Sequence, residues 1–459
     1  MAVVSDDAAH LSDDAAASRK LAPASPGWNG AIAAEDESRR WTPALLARAA
    51  TLCALPLLVG LFVASATFPG GSMVPWKPVM VDLDVYRQAG RVLLEGGDIY
   101  SLPGSLPFLY PPFAALLAVP LALFPAPAVQ ILWTVVGVLA VLAMMHRFGL
   151  SGWVLSLAGS VAICLVEPVT QTLAFGQLGI LLTALVVLDL VPGPRILPGS
   201  PRRSPPSFRR RRLPEGAMTA VAAALKLTPG IFLIYLLAVG KRRAALVTVA
   251  VGAAVTALSW VVAPAISADF WGRLAHGDTG LGHSIIYYTN QSVMADVIRV
   301  FGVSSSVSTL ALLPALLVVL VGVWAAALWH RLGDVALAVT LCGIAGLLAS
   351  PVSWSHHFIW VVPFALCLIG TPRRSATSGE QRTATRLPIW YQIVGWLFVG
   401  WVVAAPFKQL PNGGDVELTW TGSQHWLASM TAVLGMAVLV GSVALAWTRR
   451  RIQRGQPQR

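Results

Sequence analysis

The sequence predicts an all-α protein that crosses a membrane many times. Of its 459 residues, 56% are hydrophobic and only 12% are charged, and the mean hydropathy is +0.69. Soluble domains carry roughly twice that charged fraction. The apolar residues also form continuous runs, and a helix of about 20 such residues spans a hydrocarbon core of about 30 Å. Because the runs lack the alternation of membrane strands, we expect a bundle of about 10–12 transmembrane or re-entrant helices rather than a barrel.

Twelve apolar runs make up a predicted membrane domain over residues 43–447. The runs lie near residues 43–68, 107–124, 127–146, 150–167, 171–192, 216–239, 243–265, 307–331, 334–349, 353–370, 388–406 and 426–447. Three polar stretches between them are long enough to hold structure, at 69–106, 266–306 and 407–424. We expect the segment 1–42 to be a disordered cytoplasmic tail and 448–459 to be a basic cytoplasmic tail.

The net charge of +12 comes largely from arginines that cluster beside the apolar runs. The densest cluster lies in the Pro, Ser and Arg-rich segment 193–215. Lys and Arg beside membrane spans are typical of cytoplasmic loops, and no nucleic-acid-binding motif accompanies them. We therefore expect a multi-pass plasma-membrane protein with no nucleic-acid partner, whose termini and linker 193–215 are cytoplasmic and whose three long polar stretches face outward.

Two of the apolar runs are expected to be broken. If all twelve crossed the membrane, the linker 193–215 would lie on the outer side, against its charge. Three prolines interrupt the run 107–124, and Pro229 interrupts the run 216–239; a proline removes a helix hydrogen bond. Non-helical backbone at membrane depth is tolerated only where it is buried in protein or lines a cavity, so both runs point to a site.

Two acids at alternate positions, Asp82 and Asp84, follow the first run. Such a pair could bind a divalent ion or serve as a general base. It could also cap the helix predicted from Tyr86 to Glu95, because Asp is a preferred N-cap residue. Capping and catalysis are compatible, since only one carboxylate is needed for the cap.

Polar residues within the apolar runs are the next candidates. Lys226 lies between two leucines, and Gln177 follows a glycine. A lysine among apolar residues is costly in lipid and indicates a function, unless its side chain reaches the membrane surface. Tyr110 precedes a double proline, which predicts either a rigid helix start or the rim of a cavity that faces a sugar.

Two motifs in the second half of the chain complete the set. Asn290 and Gln291 offer paired donors and acceptors that suit sugar hydroxyls, or they pack their loop against its own span. Trp354 is followed closely by the adjacent His356 and His357. Because the metal-binding pattern HExxH is absent, we prefer contact with a phosphate for this histidine pair.

Together these motifs resemble glycosyltransferase family 87, whose members are actinobacterial integral-membrane mannosyltransferases of the GT-C superfamily. In chain order, the resemblance is carried by Asp82-Leu83-x-Val85-Tyr86, Tyr110-Pro111-Pro112-Phe113, Gly176-Gln177 before a Leu-rich span that ends in Asp189, Lys226-x-Thr228-Pro229, Asn290-Gln291-Ser292 and Ser350-Pro351-x-Ser353-Trp354-x-His356-His357. Each motif is short, but their number and order make the resemblance specific.

The resemblance implies a GT-C-like bundle with its site at the outer membrane face, and an inverting transfer of mannose. The donor would be polyprenyl-phosphate-mannose, and the acceptor would be the 2-hydroxyl of a mannoside on a phosphatidylinositol mannoside or lipomannan. Asp82 would be the base, with Asp84 as second choice, and His356, His357 and Lys226 would bind the donor phosphate. The expected sugar contacts are Tyr86, Tyr110, Gln177, Asn290, Gln291 and Trp354. Neither a metal nor another cofactor is expected.

Two other functions remain open at this point. A transporter or flippase of lipids or polysaccharide precursors also has many spans and buried polar residues, but it predicts sequence repeats and charges at mid-span. We find no convincing repeat, and the three outer polar stretches hold nine acids that lie in loops rather than at mid-span. A GT-C enzyme that transfers another lipid-linked sugar, such as arabinose, is the second alternative.

Overall fold

The structure is a computed structural model that describes most of the chain between residues 43 and 455. The described residues are 43–66, 78–194 except 103 and 105, 213–370 except 279 and 281, 373–374, 381–382 and 387–455. The predicted tail 1–42 and most of the linker 193–215 therefore lie outside the described residues.

Helices account for nearly all of the regular structure. The α-helices are α1 (Pro43–Ala66), α2 (Val81–Leu94), α3 (Pro112–Leu123), α4 (Ala126–Arg147), α5 (Gly152–Leu165), α6 (Glu167–Phe175), α7 (Gly179–Leu190), α8 (Ala217–Leu225), α9 (Ile231–Ala238), α10 (Arg242–Val262), α11 (Pro264–Ala275), α12 (Val293–Phe301), α13 (Ser305–Arg331), α14 (Val335–Ala349), α15 (Val361–Ile369), α16 (Ile389–Ala404) and α17 (Gly422–Gly455). Short 3₁₀ helices cover Thr228–Gly230, Gly282–Ile286, Ser355–Trp360, Pro406–Gln409 and Val416–Thr419. Two short strands, β1 (Arg373–Arg374) and β2 (Gln381–Arg382), pair antiparallel.

Among the described residues, six helices are long and apolar enough to cross a membrane: α1, α4, α10, α13, α16 and α17. The pair α5 and α6, bent by 75°, provides a seventh span if it is counted as one. Five shorter apolar helices, each of 10–17 residues, fill the space between these spans. The predicted class of all-α polytopic membrane protein is confirmed.

The prolines break the chain where the sequence predicts breaks. Helix α3 has only 12 residues, and at 1.5 Å per residue its length of about 18 Å is too short for a span. The run 216–239 opens at Lys226, whose backbone is extended (φ −151°, ψ 133°). The prediction of one helix over 171–192 is wrong: Gly176 has a left-handed backbone (φ 69°), and that conformation ends α6 before α7 begins.

The helix order separates the bundle into two chemically different ends. At one end, Lys241 binds Glu215 (2.7 Å) and Arg331 donates to the carbonyl of Ala238 (3.3 Å). Helix α14 starts beside Arg331 and runs back through the bundle, so the segment 350–357 lies at the opposite end. Helices α2 and α3 also lie there, and this second end carries the polar residues singled out above.

Candidate active site

Asp82 lies in the first turn of α2. The helix begins at Val81 and not at Tyr86, so the interpretation that Asp82 or Asp84 caps it is wrong. Its N-cap is Met80, which has a left-handed backbone (φ 42°) and makes no side-chain capping bond. The Met80 side chain is 1% exposed, and its burial fixes the start of the helix. Both acids become first-turn residues, where the helix dipole favours a negative charge.

The turn between α6 and α7 presses Gln177 against α2. A Cβ atom added to Gly176 would lie 2.5 Å from the Cβ atom of Leu83. Glycine alone tolerates both this contact and the positive φ at this position. The Gly176-Gln177 motif therefore exists to bring an amide side chain to the helix that carries Asp82.

A buried hydrogen-bond network surrounds the Asp82 carboxylate. Gln177 forms a hydrogen bond with that carboxylate, and its Nε2 donates to the hydroxyl of Tyr110 (3.0 Å). The Tyr86 hydroxyl donates to Oε1 of Gln177 (3.0 Å) and lies 3.0 Å from the Tyr110 hydroxyl. Four predicted site residues from three separate parts of the chain thus meet at one point.

Burial raises the pKa of the Asp82 carboxyl from 3.8 to about 7. Two neighbours oppose this effect and hold the pKa from rising further: the positive charge of Lys226 and the hydrogen bond from Gln177. A carboxyl with a pKa near neutrality accepts a proton more readily than an ordinary aspartate does, and it is ionised for part of the time at neutral pH. Both properties are what a general base needs.

Lys226 projects from the break between α8 and the following 3₁₀ helix. Its ammonium donates to Nε2 of His357 (3.0 Å) and lies 5.5 Å from the centre of the Tyr110 ring. Because Nε2 of His357 accepts this bond, the ring proton lies on Nδ1. Nδ1 is buried and has no hydrogen-bond partner among the described residues.

A cavity of about 210 Å³ opens beside this pair. Lys226, His357, Tyr110 and Trp354 form part of its wall. Four further wall residues were not singled out from the sequence: Tyr100, Phe270, Arg273 and Asp278. A local pattern in the sequence could have revealed three of them: Phe270, Arg273 and Asp278 combine aromatic with charged side chains within the outer stretch 266–306.

The structure separates the roles of the two adjacent histidines. His357 lines the cavity, whereas the His356 ring packs edge-on against Phe175 (5.1 Å) and against His357 (4.7 Å). The carbonyl of His356 accepts a hydrogen bond from Thr172 (2.7 Å). His356 thus lies behind His357 and holds it against the wall of the cavity.

Asn290 and Gln291 support the segment 350–357 and do not line the cavity. Asn290 is fully buried, and its amide donates to the carbonyls of Ile285 (2.9 Å) and Pro351 (3.1 Å). Oε1 of Gln291 accepts from Thr431 (2.6 Å). Their polar atoms are occupied inside the protein, which matches the alternative that this loop packs against its own span.

A supporting ion pair that the sequence did not reveal lies behind the histidines. Glu167 binds both Lys408 and the hydroxyl of Ser355, the latter at 2.9 Å. Because these partners are far apart in the sequence, no local pattern could have predicted the contact.

Asp84, the second candidate acid, faces outward and binds Gln88 (2.7 Å). Within the described ranges, no group of three His, Cys, Asp or Glu side chains is placed to hold a metal ion.

Comparisons with known proteins agree with the geometry. The model of glycosyltransferase family 87 matches residues 108–351. A polyprenol-phosphate-mannose-dependent alpha-(1-2)-phosphatidylinositol mannoside mannosyltransferase of Mycobacterium tuberculosis is 29% identical over 405 residues, covering 78% of this chain and 90% of the relative. A protein of the same description from Mycolicibacterium smegmatis is 28% identical, covering 74% of this chain and 86% of the relative.

A second kind of relative has a related acceptor in its name. A polyprenol-phosphate-mannose-dependent alpha-(1-2)-phosphatidylinositol pentamannoside mannosyltransferase of Mycobacterium tuberculosis is 29% identical over 377 residues, covering 77% of this chain and 80% of the relative. No solved structure matches the chain.

Proposed function

The chain belongs to glycosyltransferase family 87, and from this membership we propose that it is an inverting mannosyltransferase. It moves mannose from polyprenyl-phosphate-mannose to the 2-hydroxyl of a mannoside. The acceptor is a glycolipid or lipoglycan, such as a phosphatidylinositol mannoside or lipomannan. The support for these substrates is that the mycobacterial relatives are named for the same donor and for phosphatidylinositol mannosides.

One observation carries the mechanism: a half-buried acid and a half-buried cation lie close together, and the cation lines a cavity. Asp82 has a pKa of about 7, and Lys226 is close enough for its charge to lower that pKa. Attack by a hydroxyl requires a base within reach of its proton. Departure of a phosphate requires positive charge or donors where negative charge develops. The two residues supply these two requirements.

The transfer is a single displacement at the anomeric carbon. Asp82 takes the proton of the acceptor 2-hydroxyl while its oxygen forms a bond to the anomeric carbon of the donor. The bond from that carbon to the phosphate oxygen breaks, and the lipid phosphate leaves with the electron pair. Because attack and departure occur on opposite faces, a β-linked donor gives an α-linked product.

Lys226 and His357 meet the departing phosphate. The ammonium supplies a positive charge, and the unpartnered Nδ1 proton of His357 supplies a donor. Such preorganised groups act strongly in a site that excludes water. We therefore also propose that the reaction needs no metal ion, so chelation by EDTA leaves its rate unchanged.

The site faces the outer side of the plasma membrane, and both termini are cytoplasmic. The support is the distribution of charge, because Lys241, Arg242 and Arg331 gather at the end of the bundle opposite Asp82. Basic residues are retained on the cytoplasmic side. A lipid-linked donor is consistent with a site that does not face the cytoplasm.

The decisive experiment is transfer by the purified protein from polyprenyl-phosphate-mannose to a panel of mannoside acceptors. We expect an α-(1→2)-linked product, and a loss of about 10²–10⁴-fold in kcat for Asp82→Ala, the usual contribution of a general base. Asp84→Ala is the matched control, because Asp84 lies in the same helical turn but faces outward, and it should retain activity. Full activity in Asp82→Ala refutes the base assignment, while failure of the wild type to transfer mannose to any acceptor of the panel refutes the proposed function.

A further inference from the structure

An apolar groove of about 330 Å³ runs beside the reactive cavity. Its walls are formed by α8, α9 and α10, and the start of α3 closes one end. It follows α10 from Thr248 to Ser259, which at 1.5 Å per residue is a length of about 16 Å. Helix α10 is largely exposed to its surroundings, with only 17% of its most apolar window buried, so the groove is accessible from the membrane.

The groove and the cavity share part of their walls. Pro111 and Leu227 line both of them. Leu227 directly follows Lys226, the residue proposed to bind the donor phosphate. A lipid phosphate held at Lys226 therefore has the mouth of the groove as its immediate neighbour.

The chemistry of the groove suits a hydrocarbon chain. No charged side chain lines it, as far as the structure describes the chain. Thr248 donates to the carbonyls of Gly216 (3.1 Å) and Ala244 (3.0 Å), and Ser259 donates to that of Val255 (3.1 Å). These hydroxyls are thus satisfied by backbone, and apolar surface remains for a ligand.

Small residues give the groove its depth. Alanines of α8 line one wall, and Gly252 and Ala253 of α10 line the other. A Cβ atom added to Gly252 or to Gly230 would meet no other atom within 4 Å. Space of this kind inside a helix bundle accommodates a branched chain that packs along the groove.

From this continuity and chemistry we propose that the groove binds the polyprenyl chain of the donor. The proposal rests on the proposed function, because it takes the lipid phosphate to be at Lys226. The groove then fixes the donor with its phosphate beside Lys226 and its sugar in the cavity, and chain length becomes a determinant of donor affinity.

The test fills the groove and varies the length of the donor chain. Gly252→Leu adds a side chain to the wall of the groove, and its Cβ atom meets no other atom within 4 Å. We expect the KM for polyprenyl-phosphate-mannose to rise about tenfold, the consequence of losing contact with one or two methylene groups. The KM for a mannosyl phosphate that carries a methyl group in place of the polyprenyl chain should not change, because a methyl group cannot extend along the groove.

Gly400→Leu is the matched control. Gly400 lies on an exposed face of α16 and also has no atom within 4 Å of an added Cβ, and its substitution should leave both KM values unchanged. Retained activity on the short donor shows that Gly252→Leu is folded. If that variant does not fold, Ala253→Phe, on the exposed side of the same wall, is compared in the same way.

Three outcomes overturn the inference. The first is an equal effect of Gly252→Leu on long and short donors. The second is a wild-type enzyme that uses both donors equally well. The third is an increase in the KM of the acceptor alone, which assigns the groove to an acyl chain of the acceptor. A wild-type protein that transfers mannose from neither donor refutes instead the proposed function itself.

Discussion

Asp82 combines a half-buried position with a pKa of about 7. The cause is the loss of water around the carboxylate, which disfavours its charged form. Lys226 and Gln177 offset part of this cost, and the part that remains makes the carboxylate a stronger base than an ordinary aspartate. Asp84, two residues away and exposed, has none of these contacts, so local sequence alone does not separate the two acids.

The rate should depend on pH through the ionisation of Asp82. Below about pH 7 the carboxyl is protonated and cannot accept a proton, whereas above this pH it is ionised and active. We therefore expect kcat/KM to rise with pH and to level off above about 7. A pH profile of the purified enzyme with saturating acceptor measures this, and a rate already at its plateau at pH 5 contradicts the assignment.

Lys226 should influence that same pH profile. Its charge lowers the pKa of Asp82, so Lys226→Gln should shift the rising limb to higher pH in addition to raising the KM for the donor. Arg91→Gln is the control, because Arg91 is an exposed cation in α2, the helix that carries Asp82. It should leave the limb in place. A limb that does not move in Lys226→Gln refutes the proximity of the two groups in the working enzyme.

At the scale of elements, α2 is held in place by close contacts with two neighbouring parts of the bundle. A Cβ atom on Gly90 would lie 2.7 Å from the backbone of Ala118 in α3. Arg87 donates to the carbonyls of Leu121 (3.1 Å) and Phe124 (3.0 Å) at the end of that helix. These contacts fix the position of the Asp82 carboxylate, since they allow α2 little freedom to slide or turn.

Gly176→Ala should disturb this arrangement. The substitution combines the strain of a positive φ, about 1 kcal/mol, with a clash of 2.5 Å against Leu83. We expect a lower Tm and a fall in kcat, because both α2 and Gln177 must shift. Gly240→Ala is matched in φ (79°) but meets open space, so it should show the strain alone. Equal effects of the two variants on kcat would contradict this account.

A second supporting element is the segment 350–357. It is bound by Asn290, by the Glu167–Ser355 hydrogen bond and by Thr172, which come from separate parts of the chain. The result is a short, nearly non-helical stretch that presents His357 to Lys226. Buried hydrogen bonds of this kind help to specify one arrangement of a site.

At the scale of the whole molecule, the two ends of the bundle differ in charge, and this difference predicts the orientation. We expect Glu95→Cys, in a variant whose native cysteines are replaced, to react with a membrane-impermeant maleimide in intact cells. Arg331→Cys should react only after the cells are permeabilised. Both positions are exposed. The reverse labelling pattern would place the site in the cytoplasm and exclude the proposed topology.

The sequence by itself determined the membrane class, the two broken runs and Lys226 as a candidate for the site. In each case the information is local. A long apolar run is favourable in lipid and therefore indicates a span. A proline or a charge within such a run is costly there, so the proline indicates a break and the charge indicates a function. For this reason Lys226 could be selected without knowledge of its contacts, whereas the choice of Asp82 over Asp84 came from the family resemblance.

Only the tertiary structure decided how these residues meet and what their neighbours do. In the structure, His357 and not His356 lines the cavity, and Asn290 supports the segment 350–357. Helix α2 starts at Val81 and not at Tyr86. The groove beside Leu227 is also visible only in the structure. These features depend on packing between segments that are distant along the chain, and the close approach of such segments leaves no periodic or local pattern in the sequence.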